Sequence, residues 1–374
     1  MRAVLPVFLW SRAAIWAVAL LALGLFVPNR HPNAERWDSE RLHELGAGID
    51  VWARWDSDWY LRIAEGGYDG APSSTPAFFP LYPAVVALVG RLLLGHYVLA
   101  GVLVSLAACL AAFALLHRLA LPRLGPDGAR RTVLYLALFP AALFLQAVYS
   151  ESLYLALALA AFLLAERSRW LGAGAAAGLA LLTRPAGLAL VAALLVFAWA
   201  AEDRRRAVAA PALALGLGAL YPLGLALWLG EPLAFVRAQE GIWERQLSPL
   251  GPLGGLSEGA AALFREDGAR ALALNLQQLA FALLFLGLAV VAWRAFGPAY
   301  GVFAAASLAI PLSVPSERWP LLSMPRFGLV VFPLFLALAV VAQRRRGVHE
   351  AVVAVSSLLL GLFVVQWALW QWVA

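Results

Sequence analysis

Apolar runs long enough to cross a bilayer follow one another along this chain, and that leaves few folds open. Spans of this kind must satisfy their backbone hydrogen bonds internally. The runs show none of the period-2 alternation of a membrane barrel, so they are expected to be helices. The composition agrees: 63% of the 374 residues are hydrophobic and 13% are charged, where a soluble domain carries roughly 25% charged residues. The chain is therefore expected to be all-α, a polytopic transmembrane helical bundle forming a single domain over residues 1–374.

The first run, 4–27, follows Arg2 and holds Arg12. It is longer than a signal-peptide core and no small-residue cleavage site follows it, so it reads as a retained anchor. Later spans are expected over 97–118, 131–149, 150–166, 170–184, 186–201, 207–229, 273–296, 298–314, 325–342 and 350–372, which makes about eleven in all. Two polar segments interrupt them, 28–96 and 231–272. Arginines cluster at 118–131, 204–206 and 344–346. Placed inside by the positive-inside rule, they put both polar segments outside, with an inside N-terminus and an outside C-terminus. The apolar run 77–94 breaks that count, because a further crossing there would invert the 118–131 loop. It is expected to be a re-entrant or surface helix. Trp367, Trp370 and Trp372 then read as an outer interface belt.

The formal net charge is +6, and every basic residue is arginine. These arginines sit mostly at span ends, where they set topology, so no nucleic-acid partner is expected. The histidines His31, His43, His96, His117 and His349 never approach ligand spacing, and no metal or cofactor site is expected. Cys109, the single cysteine, lies within an apolar run and reads as a small buried residue. No P-loop or dinucleotide fingerprint appears.

Polar residues that resist such a reading begin with "RWDSDWYLRIAEGGY", residues 54–68. Written as a helix over 52–65, this stretch puts Trp52, Trp55, Asp56, Trp59, Tyr60 and Ile63 on one face. Arg54, Asp58, Arg62 and Glu65 fall on the other, as a ladder of exposed ion pairs. Asp58 is thereby explained. Asp56 has no charged neighbour at helical spacing. A carboxylate in an aromatic, partly dry face suits a general base; the plainer alternative is a helix cap. Other candidates fall at predicted outer span ends: Tyr149 and Glu151 in "YSES", Arg184 in "TRP" and Arg326 in "SMPRF". Charge at membrane depth is costly and marks functional sites, although a lone arginine can also snorkel.

The motifs "WDSDWYLRIAEGGY", "AFFPLYP", "FPAALFLQAVYSESLY" and "GLALLTRPAGLAL" occur in that order over about residues 50–190. Together they resemble the GPI mannosyltransferase II (PIG-V) family and its prokaryotic relatives, integral-membrane glycosyltransferases of the GT-C class. "SMPRFGLVVFPLF" resembles a late segment of prokaryotic GT-C enzymes. The resemblance implies a GT-C-like bundle in the plasma membrane with an extracytoplasmic active site. It implies a hexose, mannose in this family, moved with inversion from a polyprenyl-phosphate-linked donor to a lipid or glycan acceptor. The family's acid in the first outer loop falls on Asp56. The lysine-free chain fits a prokaryotic member, where a GPI acceptor is not expected.

That chemistry suits the residues found. A polyprenyl phosphate leaves readily, so one carboxylate can serve as base, unlike glycoside hydrolysis with its acid and base. Arg326 or Arg184 is expected to meet the phosphate charge. Trp55, Trp59, Tyr60 and Tyr68 are expected to stack on sugar or line a lipid groove, or simply to anchor the interface. A transporter or flippase would place charge at mid-span and show repeats, and neither is visible. A non-catalytic scaffold subunit would leave Asp56 unexplained.

Overall fold

The structure is a computed structural model, and it describes residues 3–29, 38–68, 73–265 and 267–373. Among these residues the fold is all-helical, with an isolated bridge between Arg245 and Ser316. Five helices are long and apolar enough to cross a membrane: Leu5–Leu25, Tyr97–Leu138, Arg204–Leu229, Gly268–Phe296 and Gly347–Ala368. Shorter apolar helices accompany them: Leu81–Leu92, Glu151–Ala165, Trp170–Leu181, Pro185–Ala200, Pro298–Ser313 and Pro333–Arg344. The chain is a multi-pass membrane protein. The 12-residue Leu81–Leu92 helix is only ~18 Å long, short of a ~30 Å hydrocarbon core.

The two spans expected at 97–118 and 131–149 are kept as two helical legs within Tyr97–Leu138, separated at Gly125 with φ 70° and ψ 179°. Arg12 lies over Phe113 of the first leg and donates to Ala137 O of the second, so the second leg returns beside the first. Pro122 and Pro126 flank the bend, and glycine takes the positive φ without strain. The second leg ends at Leu138, well before 149, for a local reason. Pro140 forces Phe139 out of the helical region, to φ −54° and ψ 140°. The chain then runs irregularly, with one 3-10 turn at Ala142–Leu145, until the next helix starts at Glu151.

Irregular backbone among apolar helices needs partners for its carbonyls. Arg12 supplies two of them from the first helix. It is buried, and it donates to Ala142 O (2.8 Å) and Ala137 O (3.0 Å). Ser152 Oγ donates to Leu145 O (2.6 Å). The charge within the first apolar run is thus a clamp on the unwound 139–150 segment.

The expected tryptophan belt is corrected. Trp367 is fully buried, donating to Val51 O (2.7 Å) and packing on Phe144 and Tyr149. Trp370 is buried beneath Arg54 and beside Trp55. The end of the last helix closes over the 51–55 turn, where the buried Trp367 ring has its N–H satisfied. The 231–272 segment is also more ordered than a polar loop, since it carries the helices Ala234–Ile242 and Pro252–Ala261.

Candidate active site

The opening stretch does not fold as the helix expected over 52–65. Trp55 takes φ 53°, a left-handed conformation that costs a bulky residue energy, and the helix begins at Ser57. Ser57 Oγ accepts from Arg54 N (3.1 Å) and fixes the turn. Asp56 occupies the cap position, yet its side chain makes no capping bond. The plainer explanation of Asp56 as a cap is therefore not what holds it.

Of the expected ion-pair ladder the Asp58–Arg62 rung is present, while Arg54 and the exposure of Asp58 are corrected with the helix. Arg54 lies before the helix, is buried, and donates to Asp50 O (3.0 Å) and Ala53 O (3.2 Å) with its guanidinium 4.3 Å from the Trp370 ring. Burial pushes its pKa down to about 10, against the partly restoring fields of Asp38 and Asp50. Asp58 is buried rather than exposed, 3% accessible. It pairs with Arg41 (2.9 Å) and Arg62 (3.4 Å) and accepts from Ser39. It ties residues 39–41 to the helix.

Asp56 meets its partner from 270 residues away: Arg326 Nη1 donates to Asp56 Oδ2 at 2.6 Å. The same guanidinium donates through Nε to Glu151 Oε1 at 2.5 Å. Arg184 Nη1 lies 3.1 Å from that Glu151 oxygen, close enough for an ion pair although not aligned as a hydrogen bond. Glu151 is fully buried at the first turn of its helix, where the helix dipole favours a carboxylate. Its Oε2 has no partner among the described residues. Asp56, Glu151, Arg184 and Arg326 therefore form one connected ionic cluster.

Aromatic rings enclose it. Arg326 lies over Tyr149 (4.5 Å) and Phe144 (5.3 Å), and Arg184 over Tyr154 (5.8 Å). The Tyr149 hydroxyl accepts from Asp56 N (3.1 Å) and donates to Arg54 O (3.2 Å), which pins the turn before the helix. Tyr60 shares a hydrogen bond with Ser150 (2.9 Å). Burial, reinforced by Glu151, pushes the Tyr60 phenol up to about 12, so it stays protonated. Trp55 lines a narrow cleft over the cluster with Asp56, Tyr149, Trp243, Ser323 and Arg326. Tyr68 lies elsewhere: it donates to Phe78 O (2.5 Å), stacks on Trp228 and lines a separate cavity of ≈ 280 Å³ with Ser74, Thr75 and Arg237.

Two contributors were not foreseen. Gln278 accepts from Met324 N (2.9 Å) and so starts the short Met324–Leu329 helix that carries Arg326. Arg245 comes from the second polar segment, 5.1 Å from the Phe327 ring and with Nη2 donating to Leu322 O (2.9 Å). The one signal for it was an arginine on the same predicted side as Asp56. Among the described residues, no group of three or more His, Cys, Asp or Glu gathers as metal ligands do; His31 lies outside them.

With this geometry in hand, the chain was compared with known proteins. Residues 46–208 match the family described as Mannosyltransferase (PIG-V). The resemblance seen in the sequence motifs is thus borne out, and the matched segment carries Asp56, Tyr149, Glu151 and Arg184. Arg245 and Arg326 lie beyond it. The GPI alpha-1,6-mannosyltransferase 2 of Rattus norvegicus is 33% identical over 199 residues, covering 48% of this chain and 40% of the relative. The chain thus spans about two fifths of the length of that curated relative. Among solved structures, ArnT from Cupriavidus metallidurans, bound to undecaprenyl phosphate, superposes with a TM-score of 0.50 at 18% identity. The superposition covers 90% of this chain and 60% of that one. It shows the fold, a GT-C-like helical membrane bundle.

Proposed function

We propose that the protein is an inverting GT-C type glycosyltransferase that moves a hexose from a polyprenyl-phosphate donor to a lipid or glycan acceptor outside the plasma membrane. Mannose is the sugar favoured by the PIG-V match. The observation that carries the proposal is the buried Asp56–Arg326–Glu151–Arg184 cluster within a bundle of this fold. Such a cluster can take a proton, meet phosphate charge and keep water out.

In this reading the acceptor hydroxyl oxygen attacks the anomeric carbon. The bond from that carbon to the phosphate oxygen breaks, and the polyprenyl phosphate leaves with the electron pair. The hydroxyl proton passes to Asp56. Asp56 Oδ2 is held by Arg326, while Oδ1 has no hydrogen-bond partner among the described residues and is the oxygen assigned as base. Glu151 holds Arg326 and Arg184 so that each guanidinium keeps free N–H groups for phosphate. The cleft is ≈ 40 Å³, against roughly 300–1,000 Å³ for ligand pockets. Substrate entry therefore requires the bordering Leu322–Ser323 and Trp372–Val373 stretches to move apart.

The test is sugar transfer by purified protein in liposomes, supplied with radiolabelled polyprenyl-phosphate mannose and membrane lipids. Labelled lipid or glycan product with the opposite anomeric configuration is expected. Donor binding without any transfer, across a panel of polyprenyl-phosphate sugars and acceptors, would leave a carrier or flippase.

A further inference from the structure

We propose that Arg245 is a phosphate-binding residue for the donor, forming with Arg326 a two-arginine clamp that spans the second polar segment and the Met324–Leu329 helix. This rests on the glycosyltransferase reading and adds a residue outside the segment matched by the PIG-V family.

Asp56 and Glu151 are the carboxylates of the cluster, and Arg184, Arg326 and Arg245 are the guanidiniums beside them. The set carries one positive charge too many. Arg326 and Arg184 each have a carboxylate within 4 Å, whereas Arg245 has none among the described residues. Its Nε is buried without a hydrogen-bond partner. Burial and the field of Arg326 push its pKa down to about 10, against a smaller opposing field from Asp56. A cation held in this way is costly unless a ligand brings the missing anion.

The backbone shows that the position is built. Gln246 N donates to Pro315 O (3.2 Å), Glu317 N donates to Glu244 O (3.0 Å), and Arg245 bridges Ser316. Glu244 takes a left-handed φ of 51° to allow it. Arg245 is thus pinned against the 315–317 loop, and its guanidinium is fixed at the carbonyl of Leu322, a residue that lines the cleft. Arg326 has Nε and Nη1 committed to carboxylates and Nη2 without a partner among the described residues. One oxygen of a phosphodiester can meet Arg326 Nη2 and another Arg245. The surroundings point to a lipid-linked phosphate, since the apolar Trp243 and Leu322 line the cleft and Phe327 lies against the Arg245 guanidinium.

The experiment compares full-length wild type with Arg245→Gln, Arg245→Lys and Arg245→Ala in nanodiscs. Glutamine keeps a donor for Leu322 O while deleting the charge, so a merely structural arginine tolerates it. Equilibrium binding is measured for undecaprenyl phosphate, undecaprenol and inorganic phosphate. Arg245→Gln is expected to weaken undecaprenyl phosphate at least about tenfold, the loss expected for a charge-assisted bond. Undecaprenol should be unaffected, and lysine should recover part of the loss. Wild-type affinity in a folded Arg245→Gln protein overturns the proposal. So does an equal loss for undecaprenol, or inorganic phosphate competing as well as the lipid does. Arg245-dependent binding without sugar transfer leaves the phosphate site standing and removes the glycosyltransferase reading instead.

Discussion

Two aspartates, two residues apart, have different surroundings, and the proposed function gives the chemistry to one of them. Asp56 touches the cleft, while Asp58 faces the 39–41 segment and is paired twice. Asp56→Asn keeps the side chain's size and can still accept from Arg326, but it cannot take a proton. Turnover is expected to fall about 10²–10⁴-fold, with donor affinity changed far less. Asp58→Asn loses buried charge-assisted bonds. It is expected to cost about 1–3 kcal/mol of stability while each folded molecule keeps near-normal turnover. Unfolding midpoints and kcat on monodisperse fractions separate the two. A dead Asp58→Asn enzyme with unchanged stability would reassign the base. The sequence separated these acids by pairing, Asp58 paired and exposed and Asp56 unpaired, and the structure does not keep that contrast. Projection on a helix found Asp56 without a charged neighbour, yet its partner is Arg326, 270 residues away. Local spacing carries no information about a pair that only the packed bundle creates. Arg54 was misplaced for a smaller reason, because the positive φ at Trp55 delays the helix start past it.

Among the elements, the unwound 139–150 segment matters most to the site. It carries Tyr149 and leads into Glu151, and Arg12 holds its carbonyl at Ala142 together with that of Ala137 in the preceding helix. The sequence marked helix breakage here through Pro140, but hydropathy alone carried the span on to 149, since the segment is as apolar as a helix. Arg12→Leu is expected to leave both carbonyls unpaired within the bundle. The cost is about 1–3 kcal/mol, with a drop in turnover as Tyr149 and Glu151 lose their support. Arg12→Lys should recover only part of both, because a single ammonium does not reproduce the planar fork that reaches two carbonyls. Thermal unfolding and single-turnover rates across the three proteins provide the check. Equal stability and rate in Arg12→Leu would make the clamp incidental and return Arg12 to a topological role.

At the scale of the molecule, the helices that carry the cluster run between two different ends. Glu151 begins the helix that finishes at Ala165, and the Arg326 helix leads into one that finishes at Arg344. At the far end Arg123 pairs with Glu166, Tyr300 donates to Glu166 (2.5 Å), Arg131 donates to Ala342 O (3.4 Å) and Gln343 donates to Leu124 O (2.9 Å). The arginine-rich 118–131 and 344–346 stretches therefore meet at one end, and the ionic cluster lies at the other. The arginine clusters made that polarity legible from the sequence, because orientation depends on loop charge rather than on span boundaries. The break expected between 118 and 131 is kept at Gly125, whereas the bound expected at 149 failed where Pro140 intervenes. If the arginine-rich end is cytoplasmic, single cysteines in a Cys109→Ala background must label asymmetrically in intact cells. Glu40→Cys, on the exposed edge of the first polar segment, is expected to react with an impermeant maleimide. Asp127→Cys, Arg205→Cys and Arg345→Cys, all exposed, are expected to react only after permeabilisation. Glu40 is preferred to Glu44, whose carboxylate accepts from Val98 N (2.8 Å) at the start of a helix and is not free to be replaced. Reaction at position 127 in intact cells, or none at position 40, would turn the bundle over. The proposed active site would then face the cytoplasm, and a donor available outside would be the wrong substrate to test.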